Sequence, residues 1–212
     1  MRTIYLFRHG LPDFPGGIRR CLGLTPDLPL SAEGREDAAA YAEFFREKRF
    51  PVIWSSPMLR CRETAAALTG GAADVRVVGE LHELCYGEWD GLSFDEIRAR
   101  YPALYAERAN DMSLMPPGGE PVADAARRGV AALRGILGES GGDLAVVAHG
   151  GLNRAVSWTL SGEPVGEIGR FIMNYLHVTV LTWDGARFAV RAVNLDAAGL
   201  RALEGSLTSK PE

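Results

Sequence analysis

The segment Thr3-Ile4-Tyr5-Leu6-Phe7-Arg8-His9-Gly10 is the one around which the predicted sheet is built. Five β-favouring, mostly apolar residues lead directly into an arginine, a histidine and a glycine, which is typical of a buried parallel strand. Ligands of open α/β sheets bind at the carboxyl ends of such strands. The segment therefore predicts a strand that delivers Arg8 and His9 to a binding site.

A second segment repeats this arrangement far downstream. The apolar run Leu144–Ala148 leads into His149-Gly150-Gly151. Two buried parallel strands that both end in His-Gly would bring two imidazoles to the same edge of a sheet. The pattern also allows two unrelated histidines at strand ends, and His82 and His177 are interpreted as structural.

Two further segments add charged side chains to this edge. A third strand, Val52–Ser55, precedes a helix for which Ser56 is the expected N-cap and Pro57 the first residue. Arg60 would then lie in the first turn, where free N–H groups and the helix dipole favour an anion. A fourth strand, Val75–Val78, leads to the glycine-punctuated loop that contains Glu83.

These motifs, in this order, resemble the signature segments of the histidine phosphatase superfamily, the group that includes phosphoglycerate mutases, fructose-2,6-bisphosphatase domains and α-ribazole phosphatases. The motifs are Arg8-His9-Gly10, Ser55-Ser56-Pro57 with Arg60, Leu81-x-Glu83, and Val147-x-His149-Gly150-Gly151. The resemblance extends from about Thr3 to Val180. It implies a three-layer α/β/α sandwich with a mostly parallel sheet. The hairpin signal Asp184-Gly185 between two β-like runs predicts an antiparallel edge.

The resemblance also implies a mechanism of phosphoryl transfer. His9 would be the nucleophile, and Glu83 would first protonate the leaving group and then activate water. His149, as an imidazolium, would donate to the phosphoryl oxygens. Arg8 and Arg60 would each present a planar fork to two oxygens. Neither a metal nor a cofactor is expected.

The loop Leu11–Pro29 is rich in proline and glycine and contains two arginines. It either crosses the surface without contacting a ligand or serves as a flap over the substrate. The residues expected to bind substrate are Arg8, Arg20, Leu22, Arg60 and Gly150. An extra residue in this loop, Pro26, departs from the family pattern.

The segment from residue 92 to residue 120 interrupts the alternation of strands and helices. Ser93-Phe94-Asp95-Glu96 predicts a capping box, and a second short helix is expected over Leu104–Asn110. This helical excursion would form one wall of the pocket, or it would consist of plain surface helices. Ser31 is expected to cap a helix that runs to about Lys48.

Composition indicates one domain over residues 1–205, followed by a polar, frayed tail over 206–212. The chain has 212 residues, of which 47% are hydrophobic and 24% charged, and its net charge is −4. This charge argues against nucleic-acid and membrane-surface partners. The three cysteines show no paired spacing, and no leader or long apolar run is evident, so a cytoplasmic enzyme is expected. The oligomeric state stays open.

These residues are compatible with three functions. The preferred one is a phosphatase for a small phosphorylated metabolite, with α-ribazole 5′-phosphate as the first substrate to test. A phosphoglycerate mutase is the alternative, but Leu11–Phe14 stands where mutases of the family carry Glu-Ser and then an asparagine. A non-catalytic member is the third, although this chain has kept every catalytic position.

Overall fold

A computed structural model describes residues 1–208 and contains one six-stranded sheet in the order β3-β2-β4-β1-β5-β6. The strands are β1 (Arg2–Arg8), β2 (Val52–Ser55), β3 (Asp74–Val77), β4 (Leu144–Ala148), β5 (Val178–Trp183) and β6 (Phe188–Leu195). β1, β2, β3 and β4 pair in parallel, whereas β5 and β6 pair antiparallel. The expected mostly parallel sheet with an antiparallel edge is confirmed.

Eight α-helices accompany the sheet in the described residues. They are α1 (Ala32–Ala38), α2 (Ala42–Lys48), α3 (Leu59–Thr69), α4 (Phe94–Arg100), α5 (Pro102–Asn110), α6 (Val122–Glu139), α7 (Gly150–Ser161) and α8 (Ala197–Thr208). None of these helices is both long and apolar enough to span a membrane. The start of the expected tail, residues 206–208, belongs to α8, and residues 209–212 lie outside the described part of the chain.

Side-chain alternation along β1 creates the three layers. Ile4 and Leu6 belong to an apolar cluster that contains residues of α6 and α7. Tyr5 and Phe7 point to the opposite face, in a cluster with residues of α1, α2, α3 and α8. Because successive side chains of a strand face opposite sides, one buried strand holds both helical layers to the sheet.

Two local expectations differ in detail. The helix expected from Ser31 to Lys48 is divided by a 3₁₀ turn at Ala39–Tyr41, although Ser31 does cap its start by accepting the N–H of Gly34. The β5–β6 connection has four residues rather than two, because strand pairing ends at Trp183 and Phe188. The Asp184 carboxylate accepts two backbone N–H groups within that loop and so stabilises the longer turn.

Close contact between α6 and α7 positions the start of α7 at the sheet edge. A Cβ atom at Gly129 of α6 would lie 2.5 Å from Val156 Cγ2 and 3.0 Å from Leu152 Cδ1. Only a residue without a side chain permits this approach. The tight packing holds the first turn of α7, which follows His149, against the carboxyl end of β4.

Candidate active site

The two histidines at the strand ends lie next to each other. β1 and β4 are parallel neighbours, with Arg8 paired to Ala148, so His9 and His149 follow at the same edge. The His9 backbone N–H donates to the Ala148 carbonyl at 3.0 Å. The two imidazole centroids are 5.2 Å apart, with their planes inclined by 65°. The pairing of the strands therefore produces two facing imidazoles.

The His9 ring is held by the turn that follows it. His9 Nδ1 lies 2.8 Å from the Gly10 carbonyl oxygen, which assigns the proton to Nδ1 and leaves a lone pair on Nε2. The Gly10 N–H donates to the Thr64 hydroxyl at 2.9 Å. A Cβ atom at Gly10 would lie 2.8 Å from the Gly34 carbonyl oxygen, so a larger residue would displace this turn.

Both imidazoles favour the neutral form in this structure. Burial lowers the pKa of His9 well below its usual value, and the positive charges of Arg60 and Arg8 lower it further. Burial likewise lowers the pKa of His149, and Arg60, His9 and Arg8 contribute in the same direction. The imidazolium expected for His149 concerns the complex with a phosphoryl group, whose negative charge would offset the two arginines, and it stays a prediction.

His149 is anchored from the β2–α3 segment. The Ser56 hydroxyl lies 2.7 Å from His149 Nε2, and Cys61 Sγ lies 3.4 Å from the same nitrogen. The expected N-cap role of Ser56 is wrong: α3 begins at Leu59, with Met58 in the cap position and no side-chain cap. The Ser56 hydroxyl forms its short hydrogen bond with the histidine. From the Met58 N–H it accepts only a longer hydrogen bond of 3.3 Å.

Two arginines present buried donors without hydrogen-bond partners to this region. Arg8 donates from Nη1 to the Met173 carbonyl and stacks on Tyr175, with Cζ 3.8 Å from the ring centroid. Arg60 is fully buried and donates from Nη2 to the Gly23 carbonyl at 2.9 Å. Arg8 Nε, Arg60 Nε and Arg60 Nη1 are buried without a hydrogen-bond partner among the described residues. Buried unpaired donors are costly, so these nitrogens indicate an anion-binding site.

The start of α3 binds an anion, but that anion comes from the chain itself. The Leu59 N–H lies 2.9 and 3.0 Å from the two carboxylate oxygens of Asp27. Asp27 also lies 3.6 Å from Arg60 Nη1. The sequence correctly predicts a preference for negative charge at this helix terminus, and the loop Leu11–Pro29 supplies that charge.

Glu83 is fixed at the start of α7. Its Oε1 accepts the N–H groups of Leu84 and Leu152, each at 2.9 Å, and its Oε2 accepts the Gly151 N–H at 3.0 Å. A Cβ atom at Gly151 would lie 2.6 Å from both Glu83 Oε1 and the Tyr86 hydroxyl. Glycine at this position therefore leaves room for the carboxylate beside the helix terminus.

A cleft of about 350 Å³ opens above these groups. Of the residues expected to form the site, it is lined by Arg8, His9, Arg20, Leu22, Glu83 and Gly150. Arg60 and His149 do not line it, because both side chains are fully buried. Phe94 and Arg108 of the helical excursion form part of the wall. Six of the eight residues predicted for the site thus line the cleft, and the other two are buried.

The structure adds cleft residues that the sequence reading missed, among them Tyr86, Arg108, Arg154 and Tyr175. Arg154 could have been found, because it lies four residues after Gly150 and so on the same face of α7. Tyr175 gives no local signal, since it reaches Arg8 through the tertiary fold. His82 and His177 do not line the cleft, and each bonds from Nδ1 to a nearby backbone carbonyl.

The neutral buried histidines predict that the free protein loses stability in acid. Below the unfolded-state pKa of about 6.5, unfolded His9 and His149 bind protons that the native state excludes, so unfolding becomes more favourable as pH falls. The expected slope approaches about 1.4 kcal/mol per pH unit for each histidine. Urea unfolding between pH 7 and pH 5 measures it, and His9→Gln should reduce the slope. An identical slope in that variant would contradict the assignment.

Within residues 1–208, no group of three His, Cys, Asp or Glu side chains is arranged to hold a metal ion. Cys21, Cys61 and Cys85 are free thiols.

Sequence comparison shows that this chain is similar to known phosphatases. The profile of the histidine phosphatase superfamily (branch 1) matches residues 4–196. Glucosyl-3-phosphoglycerate phosphatase of Mycobacterium tuberculosis strain H37Rv is 36% identical over 176 residues, which cover 77% of each chain. Its counterpart from Mycolicibacterium vanbaalenii is 32% identical over 174 residues, covering 78% of this chain and 76% of the relative.

Solved structures show the same likeness. A mycobacterial glucosyl-3-phosphoglycerate phosphatase in complex with VO3 superposes with a TM-score of 0.81 at 29% identity, covering 92% of this chain and 99% of the other. Bacillus stearothermophilus YhfR gives 0.82 at 27% identity, covering 91% and 96%. The α-ribazole phosphatase of Shigella flexneri gives 0.75 at 21% identity, covering 92% and 96%, and so shares the fold. This chain is therefore a phosphoric monoester hydrolase and belongs to branch 1 of the histidine phosphatase superfamily.

Proposed function

We propose that this enzyme hydrolyses phosphate monoesters of small metabolites through a covalent phosphohistidine at His9. The observation that carries the proposal is the pair of imidazoles 5.2 Å apart beside three buried guanidinium nitrogens that have no hydrogen-bond partner among the described residues. A phosphoryl group spreads negative charge over three equatorial oxygens during transfer. The unpaired nitrogens of Arg8 and Arg60 are suited to bind those oxygens.

In the first step, His9 Nε2 attacks phosphorus, the N–P bond forms and the bond from phosphorus to the ester oxygen breaks. The Gly10 carbonyl holds the proton on Nδ1, so the lone pair of Nε2 is available. The lowered pKa of His9 keeps the nucleophile neutral even in mild acid. A bound dianion offsets the charges of Arg8 and Arg60 and thereby favours protonation of His149, which then donates to a phosphoryl oxygen.

Glu83 moves the protons in both steps. It enters the first step protonated and transfers its proton to the departing alkoxide. Three backbone N–H groups stabilise the carboxylate that results. In the second step this carboxylate takes a proton from water while the water oxygen attacks phosphorus. As the O–P bond forms, the N–P bond breaks and its electron pair returns to His9 Nε2, so inorganic phosphate leaves and His9 is neutral again.

The relatives change the order in which substrates should be tested. Both relatives found by sequence comparison are glucosyl-3-phosphoglycerate phosphatases, with 32% and 36% identity to this chain, whereas the α-ribazole phosphatase has only 21% identity. A phosphorylated sugar acid therefore becomes the first candidate, and α-ribazole 5′-phosphate the second. A cytoplasmic location remains a prediction.

A substrate panel tests the proposed function. We expect release of inorganic phosphate from glucosyl-3-phosphoglycerate, 3-phosphoglycerate, α-ribazole 5′-phosphate, nucleotides or sugar phosphates, persisting in excess EDTA and inhibited by vanadate. A mutase assay primed with 2,3-bisphosphoglycerate runs in parallel. Interconversion of 2- and 3-phosphoglycerate with little phosphate release would contradict the proposed hydrolysis and indicate a mutase. Dependence of the activity on added Mg²⁺ or Zn²⁺ would contradict the metal-free mechanism.

A further inference from the structure

The Glu83 carboxylate accepts hydrogen bonds from α7, but the backbone that carries it is held from α6. Arg128 of α6 donates from Nη1 to the carbonyl oxygens of Glu80 and His82, the second at 3.0 Å. The His82 carbonyl belongs to the peptide unit that joins His82 to Glu83. Because a peptide unit is planar, a hydrogen bond to its oxygen helps to fix the direction in which the Glu83 side chain leaves the backbone.

The Arg128 guanidinium is itself held by a carboxylate. Its Nε donates to Glu120 Oε1 at 3.0 Å, and its Nη2 donates to Glu120 Oε2 at 2.8 Å. This two-bond pairing is the strong geometry for an arginine and a carboxylate, and it leaves Nη1 to bind the two carbonyl oxygens. The side chains of Arg128 and Glu120 are only 16% and 18% exposed, so solvent screens this ion pair less than a surface pair.

Glu120 also connects the ion pair to the other end of the loop that carries Glu83. Its backbone N–H donates to the carbonyl of Cys85, two residues after Glu83, at 2.8 Å. The turn before Glu120 continues this contact, since the Pro117 carbonyl accepts the Glu88 N–H at 3.0 Å. The ion pair is therefore connected to the loop on both sides of the Glu83 carboxylate.

Apolar packing holds the same loop against α6. Leu81 and Leu84, which flank the His82–Glu83 peptide, belong to the buried cluster that contains Ala125 and Leu133 of α6. Apolar contacts are non-directional and keep the loop in place without orienting a carboxylate. Hydrogen bonds are directional, so the Arg128–Glu120 pair supplies the orientation.

We propose that the Arg128–Glu120 pair positions Glu83 for proton transfer to the leaving group. This inference rests on the proposed function, in which Glu83 is first the acid and then the base. A displacement of about 1 Å in a reacting group can lower a rate by about 10²-fold. Neither Arg128 nor Glu120 lines the cleft, so both are positioning residues that affect turnover through the orientation of Glu83.

The leaving group separates this role from a contribution to stability alone. Arg128→Gln should lower kcat for a sugar or glycerol phosphate by about tenfold or more, because the departing alkoxide needs the proton of Glu83. Release of phenolate from an aryl phosphate, measured in a single turnover, should slow by less than about threefold. Glu120→Gln should give the same pattern. Arg128→Lys keeps the charge but loses the two-bond geometry, so it should recover only part of the rate.

A double variant tests whether Arg128 acts through Glu83. Arg128→Gln added to Glu83→Gln should lower the turnover of alkoxide esters by less than about twofold further, because residues that act as a unit have non-additive effects. Full additivity of the two losses would overturn the proposal. Arg127→Gln is the matched control, since Arg127 is exposed and pairs with Asp124 on the same helix. It should keep the wild-type rates for both substrate classes.

Urea unfolding identifies the variants that are folded under assay conditions, and if Arg128→Gln does not fold, Glu120→Gln and Arg128→Lys carry the same comparison. Equal losses on alkoxide and aryl esters in folded variants would contradict a positioning role. Wild-type rates in the Arg128 and Glu120 variants, together with the expected loss in Glu83→Gln, would contradict the role of the ion pair alone. Wild-type turnover in Glu83→Gln would contradict the proposed role of Glu83, and the positioning role would fail with it.

Discussion

His9→Ala should abolish covalent labelling and lower turnover by about 10³-fold or more, because the substitution removes the atom that attacks phosphorus. A substrate carrying labelled phosphate should give the wild-type protein a label that is labile in acid and stable in base. His9 is 4% exposed and sits in a rigid turn, so no neighbouring group can easily take its place. Rapid quenching followed by denaturing electrophoresis measures the label.

His177→Gln is the control for His9→Ala, because it removes a histidine that does not line the cleft. That variant should retain the label. Retention of an acid-labile label in His9→Ala would remove His9 as the nucleophile. Transfer of the label to the His149 position, tested in the double variant, would show that the other imidazole of the pair attacks phosphorus.

Glu83→Gln should slow turnover of sugar and glycerol phosphates by about 10²-fold or more, because the proton transfer to the leaving alkoxide is lost. An aryl phosphate has a better leaving group and should be affected less in the first step. The second step still needs a base to activate water. The variant should therefore accumulate phosphohistidine on an aryl phosphate, seen as a burst of phenolate followed by slow steady-state release.

Glu88→Gln is the matched carboxyl-to-amide control for Glu83. The Glu88 carboxylate accepts a hydrogen bond from the Tyr101 hydroxyl and does not line the cleft. Its loss should leave the burst at wild-type size. Unchanged rates in Glu83→Gln for all substrates would move the acid elsewhere, with Glu88 and Asp90 as the nearest candidates along the chain.

Local sequence patterns determined the framework of this protein. The apolar runs that end in Arg8-His9 and His149 predicted two parallel strands, and their pairing brings the imidazoles together. The Ser93 capping box also follows the sequence prediction. Each strand and the helix cap depend on neighbours within a few residues, so local periodicity and turn chemistry were sufficient to find them.

Long-range contacts decided how the site is completed. Ser56 bonds to His149 across 93 residues instead of capping α3, and Asp27 takes the helix terminus that was expected to hold a substrate anion. Arg154 gains its orientation from Phe171, and Arg8 gains its stacking partner from Tyr175. Hydroxyl, carboxylate and guanidinium groups can bond to many partners of similar strength, and only the folded chain determined which partner lay within hydrogen-bonding distance.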